Sequence, residues 1–238
     1  MTEVNRTGAS GDTAAISMVC FDMAGTTVDD GTAVMDAFSV AADAVSLSGA
    51  ERTAAMDYAE QTMGQSKIVV FRAMLSDDEE RAQRANGAFE AAYDQIVAEG
   101  RVRAMPGAAD CFAWCRDHDI AVCLTTGFAP ATRDAILSVL GWEQVPDLVL
   151  SPADAGRGRP YPDMVLAAVI RLGIDDVREV AVVGDTASDL WSGHRAGASI
   201  IAGVLSGAHG VAEFATAPHT HIVDSVADLP GVLAGRLA

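Results

Sequence analysis

The 238-residue chain lacks any apolar run of the ~18 residues that a membrane-spanning helix needs. Its N-terminal stretch also lacks the apolar segment of a secretory signal, so we expect a cytoplasmic protein with no membrane partner. The four cysteines form no CxxC pair and have no zinc-binding spacing, which predicts reduced, buried thiols at Cys20, Cys111, Cys115 and Cys123. Neither a GxSxG nor a P-loop motif occurs, which argues against a serine hydrolase and a nucleoside triphosphatase.

Positive charge is also scarce, because the formal net charge is -17 at pH 7. Nucleic acids and anionic membranes carry the same sign, so neither is an expected partner. The sixteen basic residues are fifteen arginines and one lysine, Lys67. A guanidinium stays protonated and does not readily form imines, whereas an amine does, so Lys67 is a candidate for covalent chemistry. The alternative is that one lysine survives by chance in an arginine-rich chain.

Short, continuous apolar runs predict strands that are buried on both faces. They lie at 16–21, 120–126, 147–151, 179–185, 198–205 and 221–225. Helical patterns alternate with the later runs, at 107–117, 130–140, 161–172 and 187–196. Strands that alternate with helices predict an α/β fold, with a mostly parallel sheet flanked by helices.

The interval from Asp22 to Ile120 shows no convincing strand. Helical patterns occupy it instead, near 34–47, 51–63, 66–75 and 78–98. We therefore predict an inserted helical cap domain at 34–104 and a catalytic core made of 1–33 and 105–238. The acidic cluster at 76–84 predicts a helix start, with Ser or Asp at the N-cap and acids in the first turn.

Polar residues follow three of the predicted strands, where ligands bind in open α/β sheets. Asp22 ends the first strand, Thr126 and Gly127 follow the second, and Asp185 follows the fourth. Carboxylates at two strand ends can share a Mg²⁺ ion, and Asp22 can then attack phosphorus. Thr126 and the Gly127 amide can hold phosphoryl oxygens, with Arg159 from the loop at 152–162 balancing their charge.

Five sequence segments carry a resemblance to a known family. They are FDMAGTTVDDG (21–31), MGQSK (63–67), LTTG (124–127), GRPYP (158–162) and GDTASD (184–189). In this order they resemble the motifs of the haloacid dehalogenase superfamily, and within it those of the phosphonatase, or phosphonoacetaldehyde hydrolase-like, branch. Two branch features are Ala24, where most superfamily phosphatases carry a second acid, and Arg159, where others carry lysine. The resemblance covers most of 16–206 and implies the superfamily's α/β core with an inserted helical cap.

The resemblance implies a distinct role for each of these residues. Asp22 would be the nucleophile that becomes an aspartyl-phosphate, and Lys67 would form a Schiff base with the substrate's carbonyl group. Mg²⁺ would be held by Asp22, the Ala24 carbonyl and Asp185, with Asp189 in or beside that shell. The residues implied to bind the substrate or its phosphoryl group are Met63, Gly64, Thr126, Gly127 and Arg159.

Elementary chemistry explains why Ala24 and Lys67 belong together. Cleavage of a phosphate ester expels an alkoxide, which an acid two residues after the nucleophile can protonate. Cleavage of a C–P bond would expel a carbanion, which needs a protonated imine one carbon away to accept its electrons. The chain departs from the branch at Val70, Phe128 and Thr32, where His, Tyr and Cys are typical, so the proton-handling groups around the imine differ.

Two other functions stay open on the sequence. One is a Mg²⁺-dependent phosphatase that acts on a small phosphate ester, which the missing acid at Ala24 disfavours. The other is a non-catalytic binding protein on the same fold, which the presence of Asp22 and Asp185 disfavours. The resemblance also implies a possible homodimer, because members of the branch often pair through the cap.

Overall fold

A computed structural model describes residues 14–237, so residues 1–13 and residue 238 of the predicted core lie outside the described part. Within it, a sheet of parallel strands has the order β5-β4-β1-β6-β7-β8. The strands of this part of the chain are β1 (Met18–Asp22), β2 (Val28–Asp29), β3 (Arg103–Ala104), β4 (Ala121–Thr125), β5 (Leu148–Leu150), β6 (Val180–Gly184), β7 (Ile200–Val204) and β8 (His221–Val223). This sheet confirms the predicted fold class.

Helices pack on both faces of this sheet, and four more lie in the segment between β2 and β3. In chain order they are α1 (Ala33–Ala44), α2 (Gly49–Gln61), α3 (Lys67–Met74), α4 (Glu79–Ala98), α5 (Ala108–Asp117), α6 (Pro130–Leu140), α7 (Pro152–Ala155), α8 (Asp163–Leu172), α9 (Ala187–Ala196), α10 (Val211–Phe214) and α11 (Leu229–Leu233). Successive residues of β1 face opposite sides: Val19 and Phe21 join one hydrophobic cluster, and Met18 and Cys20 another. This alternation explains why both faces of β1 are apolar.

The four helices α1–α4 lie between β2 and β3 along the chain. Their contact surface is aromatic: the ring centroids of Phe38 and Phe89 are 4.9 Å apart, and those of Phe38 and Phe71 are 5.2 Å apart. α4 begins as predicted, with Asp78 at the N-cap accepting a hydrogen bond from the Arg81 amide. The assignment of 34–104 as a separate cap domain, and of the rest as the core, stays a proposal.

The prediction of no strand between Asp22 and Ile120 is wrong. β2 and β3 pair as an antiparallel ribbon at the two ends of the helical segment, Val28 opposite Ala104 and Asp29 opposite Arg103. Two residues are too few to show the alternating pattern by which a strand is predicted. The ribbon places the start and the end of the four-helix segment side by side.

All four cysteines are free and buried, as expected. Cys111 and Cys115 both lie on α5, and Cys20 and Cys123 are paired in register on β1 and β4. Over residues 14–237, no helix has the length and apolar character required to cross a membrane.

Candidate active site

Several of the predicted site residues lie at the carboxyl ends of β1, β4 and β6, which are neighbours in the sheet. β1 lies between the other two. The strand order therefore proceeds to one side of β1 through β4 and to the other side through β6, and a ligand-binding crevice opens at such a switch point. Asp22 is the last residue of β1, and Asp185 follows β6. Carboxylate oxygens of Asp22, Asp185 and Asp189 lie within 4.8 Å of one another, and all three residues are buried.

Arg159 reaches into this carboxylate cluster and is only 4% exposed. Its Nη1 donates hydrogen bonds to the carboxylates of Asp22 and Asp189. Its Nε and Nη2 are buried and have no hydrogen-bond partner among residues 14–237. A buried donor without a partner costs about 1–3 kcal/mol, so these N–H groups favour an anionic ligand beside Asp22.

Negative charge dominates the cluster and suits a hard cation. Burial raises the pKa of Asp22 to about 7; the Arg159 charge opposes this increase and the Asp189 charge adds to it. Burial and the charges of Asp22 and Asp189 also raise the pKa of Asp185. Carboxylate oxygens are the ligands that Mg²⁺ prefers. The donor set therefore fits Mg²⁺, which Asp22, Asp185 and the Ala24 carbonyl would hold.

Both carboxylate oxygens of Asp189 accept hydrogen bonds from protein groups. It is the third residue of α9, and its Oδ2 accepts a hydrogen bond from the Thr186 amide at 3.1 Å and another from the Thr186 hydroxyl. Its Oδ1 accepts from Arg159. Asp189 thus holds the guanidinium and caps the helix, which places it beside the proposed metal ligands.

Thr126 and Gly127 form the turn after β4. The Thr126 amide donates to the Leu150 carbonyl at 3.0 Å, and the Thr126 hydroxyl accepts from the Phe128 amide at 3.2 Å. These bonds fix the turn so that Thr126 and Gly127 line the same cavity as Asp22 and Arg159.

Lys67 enters the same cavity from the first turn of α3 and is 7% exposed. Its Nζ lies 5.3 Å from the ring centroid of Phe128, 5.6 Å from that of Phe38 and 5.7 Å from that of Phe89. Burial, together with the Arg159 charge, lowers the pKa of Lys67 to about 8, although nearby carboxylates oppose the shift. The environment thus makes a neutral amine far more accessible than in an exposed lysine.

The loop before α3 lies directly against the core loops. Gly64 has φ +80°, and a Cβ added there would lie 2.5 Å from the Thr186 hydroxyl oxygen. A Cβ on Gly127 would lie 2.5 Å from the backbone carbonyl oxygen of Gln65. Because only glycine permits these approaches, the two glycines let the α3 end of the helical segment close over the strand ends.

A cavity of about 380 Å³ joins the predicted residues. Except for Asp189, every predicted site residue lines it: Asp22, Ala24, Met63, Gly64, Lys67, Thr126, Gly127, Arg159 and Asp185. Among the departures from the branch pattern, Val70 is buried on α3, and Thr32 precedes α1 and donates to Asp36 at 3.1 Å.

Sequence reasoning missed two residues of this cavity region, Asp30 and Tyr93. Asp30 lines the cavity, is buried, and accepts a 2.5 Å hydrogen bond on its Oδ2 from the Tyr93 hydroxyl. A signal did exist, because Tyr93 falls in the run of buried α4 positions Ala82, Ala85, Phe89 and Ile96 and brings a hydroxyl into an apolar face.

Relatives of the chain include proteins named for two activities. It is 29% identical over 217 residues to the "Probable phosphatase IndB" of Dickeya dadantii, covering 90% of this chain and 92% of that one. It is 29% identical over 205 residues to a phosphonoacetaldehyde hydrolase of Bacillus cytotoxicus, covering 76% and 73%.

Solved structures share the fold. A hydrolase from Pseudomonas syringae superposes with a TM-score of 0.82 at 23% identity, over 94% of this chain and 100% of that one. A phosphonoacetaldehyde hydrolase-like protein from Oleispira antarctica gives 0.79 at 23% identity, over 99% and 96%. Residues 16–197 match the haloacid dehalogenase-like hydrolase family. The chain therefore belongs to the haloacid dehalogenase-like hydrolases.

Proposed function

We propose that this hydrolase cleaves the C–P bond of a small 2-oxo-alkylphosphonate similar to phosphonoacetaldehyde. One observation carries the proposal: the chain's single lysine is buried in the same cavity as Asp22 and Arg159. The name of the Bacillus cytotoxicus relative supports the same reaction.

The proposed reaction divides between Lys67 and Asp22. The Lys67 amine attacks the carbonyl carbon and forms an imine with loss of water, and protonation makes the imine an electron sink. Asp22 attacks phosphorus, the C–P electron pair moves into an enamine, and the phosphoryl group is transferred to the Asp22 carboxylate. A proton from water converts the enamine into an imine, and water then hydrolyses the aspartyl-phosphate and the imine, which regenerates both side chains.

The remaining cavity residues bind and orient the phosphonate. The Thr126 hydroxyl, the Gly127 amide, and the unpartnered Nε and Nη2 of Arg159 are donors suited to phosphonate oxygens. Mg²⁺ bound at Asp22, Ala24 and Asp185 would offset the negative charges that otherwise repel one another. Ala24 lines the cavity without an acidic side chain, which fits a reaction that needs no acid to protonate an alkoxide.

A phosphatase acting on a small phosphate ester is the second candidate. The Dickeya dadantii relative's name favours it, and Asp22, Asp185 and Arg159 suit phosphoryl transfer from an ester equally well. Phosphate release from phosphonoacetaldehyde and from a panel of small phosphate esters, each with Mg²⁺ or with EDTA, separates the two functions. We expect Mg²⁺-dependent release from the phosphonate at a far higher kcat/KM than from any ester. The reverse ranking would establish the phosphatase instead.

The rate of C–P cleavage should depend on the protonation of Lys67. Only the neutral amine attacks a carbonyl, and the pKa of Lys67 is about 8 because burial and Arg159 lower it against the opposing charges of Asp22, Asp30 and Asp185. Below that pKa, kcat/KM should fall about tenfold per pH unit, and above it the profile should level off. Phosphate release measured from about pH 6 to about pH 10 tests this. A profile of kcat/KM that keeps rising with pH and levels off only near the ordinary lysine pKa would contradict it.

A side chain at position 127 should prevent the loop before α3 from lying against the core loops. Gly127→Ala keeps the amide donor but places a Cβ 2.5 Å from the Gln65 carbonyl oxygen, so the loop that carries Lys67 must move away. We expect kcat/KM to fall about 10²-fold, the scale of a roughly 1 Å misplacement of reacting groups. Limited proteolysis should show faster cleavage near Gln65.

Gly87→Ala is the matched control for this substitution. Gly87 lies inside α4, and a Cβ there meets nothing within 4 Å. The control should leave kcat/KM unchanged and stabilise the helix by up to about 1 kcal/mol. If Gly127→Ala behaved like Gly87→Ala in both assays, the close approach of the loop would not matter for catalysis.

A further inference from the structure

The region around Lys67 lacks proton-transfer groups at two nearby positions. Val70, one helical turn along α3, is buried and apolar, and Phe128 contributes a hydrocarbon ring to the aromatic surroundings of Nζ. Imine formation and imine hydrolysis both require proton transfers at the nitrogen and at the carbonyl oxygen. If Lys67 forms an imine, a different group in the cavity carries these protons, and a buried carboxylate there is the strongest candidate.

Asp30 is placed for this task. It lies between β2 and α1, is 7% exposed, and lines the cavity with Lys67 and Asp22. The charges of Asp30 and Lys67 act on each other across this cavity. None of the ion pairs of residues 14–237 involves Lys67, so its amine is not locked to a carboxylate.

Tyr93 holds the Asp30 carboxylate in place. Its hydroxyl donates to Oδ2 of Asp30 at 2.5 Å, and its ring packs 4.5 Å from Phe128 and 6.1 Å from Phe89, centroid to centroid. Burial and the negative charge of Asp30 raise the pKa of Tyr93, which keeps the phenol protonated and donating. Because one carboxylate oxygen accepts from Tyr93, the other can face the reacting atoms.

We propose that Asp30, oriented by Tyr93, is the general acid–base that moves protons at the Lys67 imine. This role rests on the C–P cleavage proposed above. It also assigns a function to a buried carboxylate that neither the metal site nor the phosphoryl site uses. Tyr93 is a positioning residue, because it acts through Asp30.

The proton transfers balance with Asp30 as the carrier at the imine and solvent water as the source of the proton that replaces phosphorus on carbon. The Lys67 ammonium gives a proton to the Asp30 carboxylate, and the neutral amine attacks the carbonyl carbon while the π electrons move to oxygen. Asp30 donates its proton to that oxygen and takes one from the nitrogen, which gives the carbinolamine. Asp30 then protonates the hydroxyl group, water leaves with the C–O electron pair, and a protonated imine remains beside the Asp30 carboxylate. After C–P cleavage, Asp30 takes a proton from solvent water and gives it to the terminal carbon of the enamine, which becomes the protonated product imine. The Asp30 carboxylate then accepts a proton from the water that adds to this imine and passes it to the Lys67 nitrogen as the carbonyl product leaves.

The test is a single-turnover comparison of the full-length wild type with Asp30→Asn and Tyr93→Phe. The enzyme is mixed with phosphonoacetaldehyde and quenched at intervals with borohydride, and the reduced Lys67 adduct is quantified by mass spectrometry across pH. We expect the maximal rate of adduct formation to fall about 10²–10⁴-fold in Asp30→Asn. Tyr93→Phe should lose about 5–10-fold, because it removes one hydrogen bond to the carboxylate.

Matched controls and a second readout separate the proposed role from damage to the fold. Asp57→Asn and Tyr58→Phe, both on α2, should form the adduct at the wild-type rate. A beryllofluoride adduct at Asp22, followed by ¹⁹F NMR with Mg²⁺, should form equally in every variant if the phosphoryl site is intact. Should Asp30→Asn fail to form that adduct, Tyr93→Phe decides the question, because it keeps the carboxylate.

Three results would overturn the proposal. Adduct formation in Asp30→Asn at the wild-type maximal rate would show that Asp30 carries no required proton. A pH profile that only shifts, with its plateau retained, would reduce Asp30 to an electrostatic neighbour of Lys67. Absence of any Lys67 adduct in the wild type would remove the proposed C–P cleavage itself, and with it the need for Asp30.

Discussion

Replacement of Lys67 by arginine is expected to reduce phosphate release from phosphonoacetaldehyde by at least about 10⁴-fold, the scale of losing a covalent catalytic group. Arginine keeps the positive charge in the aromatic surroundings of Phe38, Phe89 and Phe128 but forms no imine. Without the imine, the C–P electron pair has no acceptor, so Asp22 cannot displace carbon from phosphorus. The decisive comparison is kcat for the variant and the wild type under saturating Mg²⁺.

Arg84→Lys is the matched control for the Lys67 substitution. Arg84 lies on α4, and its one ion pair within residues 14–237 is a long, exposed contact of 3.8 Å with Glu80, so the variant adds an exposed lysine. It should release phosphate at the wild-type rate. If Lys67→Arg kept C–P cleavage within about tenfold of the wild type, imine chemistry at this position would be excluded.

The second large effect is expected for Asp22→Asn. The amide has the size of the carboxylate but is a poor nucleophile, so phosphate release should fall at least about 10⁴-fold from phosphonates and esters alike. Imine formation at Lys67 precedes phosphoryl transfer and should continue. The variant should therefore accumulate the imine, which borohydride captures in higher yield than in the turning-over wild type.

Asp117→Asn, at the exposed end of α5, is the control for this variant and should match the wild type in both assays. The pair Lys67→Arg and Asp22→Asn thus separates the two halves of the reaction. An Asp22→Asn protein that still releases phosphate would refute the aspartyl-phosphate. One that releases none and also forms no adduct would show that the imine depends on Asp22.

Most of the fold was predictable because its signals are local. The six strands of the parallel sheet are continuous apolar runs, and Asp22, Thr126 and Asp185 directly follow three of them. Parallel strands bring their carboxyl ends to one edge, so the meeting of these residues follows from topology. The ribbon formed by β2 and β3 was not predictable, because each strand has two residues and pairs across the whole helical segment.

The Asp30–Tyr93 contact shows a second limit of sequence reasoning. The two residues are 63 positions apart, and each has an ordinary local interpretation, Asp30 in a turn and Tyr93 on a helix face. Only the packing of α1 against α4 brings the carboxylate to the hydroxyl. The closure at Gly64 and Gly127 is of the same kind, since it depends on distances between loops that no sequence pattern encodes.

Borohydride reduction of the wild-type protein in the presence of phosphonoacetaldehyde tests the central claim most directly. Lys67 and the N-terminal amine are the only primary amines that can form an imine, so mass spectrometry can locate the adduct without ambiguity. We expect reduction to inactivate the enzyme and to add the mass of the reduced substrate or product carbon skeleton at Lys67. An unmodified Lys67 in a protein that still hydrolyses phosphate esters would contradict the claim and would establish a phosphatase.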